Sequence, residues 1–99
     1  MNITEFYNIY KNKFTPWDSG ITDDYFEGEI TMLDDEVGGI VFLNSKKEDT
    51  HHLDRIIKNI KEDTIKAKNY NLDIEDYINI IFHLNSLLLV CYLIKDEKL

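Results

Sequence analysis

The chain, 99 residues long, is short of several things. It has one cysteine, Cys91, so an internal disulfide is excluded and a reducing compartment is expected. It has one proline, Pro16, and four glycines, too few to build linkers between domains. No internal repeat or low-complexity tract divides it. A single globular domain over residues 1–99 is the expectation, and a chain of this size buries about 60–70% of its unfolded surface. The opening residues, MNITEFYNIYKNKF, lack the basic start and the continuous apolar run of a signal peptide, which points to the cytoplasm. Long apolar runs are missing as well. The most apolar stretch, YINIIFHLNSLLLVCYLI (77–94), is broken by two Asn, a His and a Ser, and its longest clean run is 8 residues. A membrane-spanning helix needs about 20, so the segment is read as a buried core element.

The most informative absence is of positive charge. From Phe14 to Ser45 there is no Lys or Arg, while Asp18, Asp23, Asp24, Glu27, Glu29, Asp34, Asp35 and Glu36 all fall there. The rest of the chain carries 11 acids against 11 bases, so the whole net charge of −8 resides in about a third of the molecule. Segregated charge makes a negative field on one side of a fold; it repels nucleic acid and attracts basic partners. A solvated acidic loop with no partner is the plainer alternative.

What is present reads mostly as helix. In residues 3–14, Ile3, Phe6, Tyr7, Tyr10 and Phe14 share one helical face, with Asn2 and Glu5 placed as a capping box. The helix is expected to stop before TPWDSG. Residues 28–43 admit two readings. With a period of two, EITM and GIVFL form a hairpin about the polar LDDE turn. With a period of 3.6, Ile30, Leu33, Val37 and Ile40 line a helix, at a cost of about 2 kcal/mol for Gly38 and Gly39. The glycine pair and the β-branched run after it favour the hairpin. Next, Asp49 or Thr50 caps a helix whose apolar stripe is Leu53, Ile56, Ile57, Ile60, Thr64 and Ala67, with Asn69 or Asn71 as its stop. Asp73, with Glu75 and Asp76, opens a last helix that is apolar all round from Tyr77. A break at Asn85-Ser86, leaving the end as a strand, is the alternative there. The expected fold is a mostly α compact bundle of three to four helices with a short β-hairpin around residues 28–43, the alternative class being α+β.

Chemistry-bearing patterns are weak. DDYFEGEITMLD, from Asp23, meets a calcium-loop template at Asp23, Glu27, Gly28 and Ile30 but fails at Tyr25 and ends on Asp34 where the template takes Glu. His51 and His52 diverge by about 100° on a helix and do not share a metal readily. His83 is expected in the core. It lies about 12 Å along one helix from Cys91, too far to activate that thiol, which is expected to serve packing. The carboxylates stand in polar, crowded sequence, and none is marked out for general acid catalysis by an apolar pocket. No phosphate-cradling glycine loop and no G-x-S-x-G occur. A non-enzyme without cofactor or metal is the expectation.

Binding remains. Trp17 and Tyr25 lie beside the acids, and aromatics are enriched at interface cores. Aromatic anchors within a ring of carboxylates suit a partner rich in Lys and Arg, and complementary charge speeds association and suppresses wrong partners. The expected surface is Trp17, Asp23, Asp24, Tyr25, Glu27, Glu29, Asp34, Asp35 and Glu36. The expected role is an inhibitor of a basic protein, such as an immunity protein or antitoxin against a nuclease toxin. A phage-encoded nucleic-acid mimic acting on a host defence enzyme demands the same surface. A different class also fits: a structural or regulatory homodimer built on the apolar last helix.

Overall fold

A computed structural model describes residues 21–43 and 50–95, with Glu5 alone before them. These residues form three helices: α1 (Asp24–Leu43), α2 (Thr50–Asn69) and α3 (Ile74–Lys95). The helix expected at 3–14 lies outside the described residues, and so does Trp17.

Residues 28–43 are helix, not hairpin, and the local chemistry explains why. Asp23 caps α1: its Oδ1 accepts from the Phe26 N–H at 3.0 Å and its carbonyl accepts from the Glu27 N–H at 2.9 Å. Asp24 and Glu27 then stand in the positive first turn. Phe26, Ile30, Leu33 and Val37 are fully buried along one stripe. Each such burial contributes about 1.5–3 kcal/mol, which together exceeds the cost of the two glycines. A period of two would place Met32 with Ile30. Met32 is instead 44% exposed while Leu33 is enclosed.

α2 follows its sequence pattern closely. Leu53, Ile56, Ile57, Ile60 and Ala67 are buried, and the helix ends at Asn69, whose Nδ2 donates back to the Ile65 carbonyl at 3.2 Å. One residue was not anticipated in the core: Asp63 is only 3% exposed. α3 runs unbroken through Asn85 and Ser86, so the strand alternative for the chain's end does not hold. Its inner side is Ile80, His83, Leu84, Leu87, Val90, Cys91 and Ile94.

Cross-links between helices set their directions. Lys66 meets Tyr25 and Arg55 meets Glu36, so α2 runs antiparallel to α1. Lys95 meets Asp54 at 3.0 Å, so α3 runs antiparallel to α2 and parallel to α1. At the shared starting end of α1 and α3, both Asp76 carboxylate oxygens are taken by Thr22. The Thr22 N–H donates to Oδ1 at 3.0 Å and its hydroxyl to Oδ2 at 2.8 Å, across 54 residues of sequence. Asp76 was read as a favourable first-turn acid; it is also the anchor that fixes where α1 begins.

Candidate binding surface

The outward side of α1 is the site the charge pattern singled out. Helical spacing brings Asp24, Gly28, Met32 and Asp35 to it, all exposed, with half-buried Glu27 and Gly39 at its margins. Asp24, Glu27 and Asp35 are the acids that face solvent there, and α1 itself contributes no base.

The other expected acids are engaged within the fold. Asp23 caps α1 as described. Glu36 forms an ion pair with Arg55 at 3.5 Å, and Arg55 also donates to His52 Nδ1 at 2.6 Å. Asp34 is 5% exposed, because its position falls beside the buried Leu33 and Val37 on the helical wheel; it belongs to the interior rather than the partner-facing surface. Tyr25 is partly exposed but held. Its hydroxyl accepts from Lys66 Nζ at 2.8 Å, the same ammonium sits 5.3 Å from the ring centre, and Tyr70 stacks on it at 5.9 Å. Phe26 packs edge-on to both rings, at 5.1 Å and 5.0 Å. Lys66 therefore brings one positive charge to the edge of the acidic face, held in its ammonium form by Tyr25 first and by Asp63 and Glu29 nearby.

Glu29 has a different role from the one its sequence context suggests. It reaches across to Asp63 of α2, and the two carboxyls are within hydrogen-bonding range. The enclosed Oδ2 of Asp63 has no hydrogen-bond partner among the described residues. Two carboxylates are both acceptors, so a hydrogen bond between them needs a proton. Asp63 supplies it. Burial, then the hydrogen bond and the charge of Glu29, push its pKa from 3.8 to about 7, with Lys66 opposing and Glu62 adding to the rise. The sequence held one sign of this: Ile56, Ile60, Asp63 and Ala67 are spaced as one core stripe, with an acid in an apolar register.

Two further groups are shifted by burial alone. His83 is 1% exposed, and burial pulls its pKa from 6.5 down to about 4, so it is neutral at physiological pH. Burial raises the Cys91 thiol to about 12, which leaves it without thiolate character. Among the described residues no three of His, Cys, Asp and Glu converge as metal ligands do. Compared with known proteins, the chain matches no protein-family model, no curated protein and no solved structure.

Proposed function

We propose that this chain is a non-catalytic acidic binding protein, acting in the cytoplasm, that neutralises a basic protein partner. Its partner class is a nucleic-acid-processing enzyme or toxin with a Lys- and Arg-rich cleft, as an immunity protein or antitoxin would meet. The observation that carries this reading is the outward side of α1, where Asp24, Glu27 and Asp35 face solvent with no base from the same helix. Exposed Met32 sits among them as an adaptable apolar contact, and Tyr25, braced by Lys66 and Tyr70, offers a ring edge beside them. Charge of this kind acts chiefly on association rate and partner choice.

The test is affinity capture from the host at low and moderate salt with two baits, the natural chain and a variant carrying Asp24→Lys, Glu27→Lys and Asp35→Lys. All three positions are away from the core, so the melting temperature is expected to stay within a few degrees. The natural chain should retain one basic protein, and the variant should bind it at least tenfold more weakly, chiefly through slower association. Equal affinity of the two baits for that protein would rule the acidic surface out.

A further inference from the structure

The acidic side of α1 accounts for none of the apolar surface on α3. Opposite its buried side, α3 exposes Ile74, Ile78, Phe82, Leu89 and Tyr92, from 36% exposed at Tyr92 to 70% at Ile74. Five side chains of this size and exposure present on the order of 500 Å² of apolar surface, the upper end of what a monomer shows to water. Two copies of it reach the roughly 1,000 Å² that a specific interface needs. α3 is also long and apolar enough, by length and composition, to cross a membrane, so the choice of occupant has to come from the pattern itself.

That pattern extends to both sides of one polar residue. Asn85 is exposed at the middle of α3 and in the middle of the stripe. Ile78 lies seven residues before it and Tyr92 seven after, both exposed; exposed Phe82 and Leu89 have as mirror positions Leu88 and Ile81, which are half-buried and pack against the core at the margins of the stripe. On a helix all of these fall within about a third of the circumference centred near Asn85. A stripe that is apolar on both sides of its centre suits an isologous, antiparallel contact, in which each residue meets its mirror position on the other copy. The amide of Asn85 would lie on the two-fold axis, where its donor and acceptor are complementary to their own copies. A single polar Asn in an otherwise apolar seam is a known way of fixing register.

Charge selects the same direction. Asp73 and Glu75 flank the stripe where α3 begins, whereas Lys61 lies over the Tyr92 ring at 5.7 Å and Lys95 stands at the other end. An antiparallel pair sets the acidic end of one stripe against the basic end of the other and opposes the helix dipoles favourably. A parallel pair would set acid against acid. We infer that the exposed stripe of α3 binds a second copy of this chain, antiparallel and centred on Asn85, forming a two-fold dimer. The stripe belongs to α3 and the solvent-facing acids to α1, so this inference stands apart from the proposed function.

Sedimentation equilibrium from low to high micromolar protein, with cross-linking, tests it. The natural chain should dimerise, and Leu89→Glu should shift it to monomer by at least tenfold in dissociation constant while helical circular dichroism is retained. Asn85→Cys should cross-link to itself on mild oxidation. Ile74→Cys should not, because in the antiparallel pair the two copies of position 74 lie about 33 Å apart. Buried Cys91 stays silent in both variants. A monomer throughout overturns the inference, whether or not it then sediments with phosphatidylcholine vesicles. So does a dimer that cross-links through position 74. If Leu89→Glu unfolds, the concentration dependence of the natural chain and the two cysteine variants still decide.

Discussion

A carboxylate's surroundings, more than its charge, decide what it does in this protein. Asp34 and Asp63 are both buried acids in a strongly acidic chain, and burial pushes the Asp63 carboxyl well above the usual carboxylate range. Its pKa is raised from 3.8 to about 7, so the folded state holds the proton more tightly than the unfolded chain. The stability this allows is full below pH 3.8 and is lost as pH rises through 7, by at most about 4 kcal/mol. His83 works the other way. Its pKa falls from 6.5 to about 4, so its contribution is intact above 6.5 and lost as pH falls toward 4. The two slopes have opposite sign over nearly the same range and largely cancel in the natural chain. Asp63→Asn should therefore leave a fold whose urea midpoint climbs from pH 4 to 6.5, and His83→Leu one whose midpoint drops from pH 4 to 7.5. Parallel profiles for the two variants would contradict both assignments.

At the scale of the helix, α1 carries two glycines with no packing reason to be there. A Cβ at Gly28 or Gly39 would meet nothing within 4 Å. Gly28→Ala and Gly39→Ala should each stabilise the fold by about 0.5–1 kcal/mol, read as a higher thermal midpoint. If either fails to, the open side of α1 is tighter than its described surroundings indicate. The neighbouring pair Gly38-Gly39 shows which elements could be read from the sequence. α2 was legible because its apolar residues repeat cleanly against charged ones. α1 was not, because a glycine pair followed by Ile-Val-Phe argues locally for a strand, while the deciding energy comes from burying Phe26, Ile30, Leu33 and Val37 against other helices. The acidic run was legible as composition, but its division was not. Whether an acid caps, pairs, shares a proton or faces water depends on the register of α1 against α2, which residue types alone do not encode. Glu29 and Asp63, 34 positions apart, are the clearest case.

For the molecule as a whole, the Thr22–Asp76 contact has a consequence in time rather than in shape. α2 and α3 are joined by residues 70–73 and can pair early, because the loop between them is short. The two hydrogen bonds from Thr22 close a loop of 54 residues and can form only once α1 has docked on that pair. The expectation is that they act as a latch set after the barrier rather than as part of the nucleus. Asp76→Ala should cost about 2–4 kcal/mol, and nearly all of it should appear as faster unfolding, on the order of a hundredfold, with refolding changed by no more than about twofold. Stopped-flow chevrons of the two proteins would show it: a displaced unfolding arm over a shared folding arm. On that outcome, the residence time of α1 in the bundle, and with it the lifetime of the acidic surface it displays, would be set largely by one aspartate in the first turn of the chain's last helix.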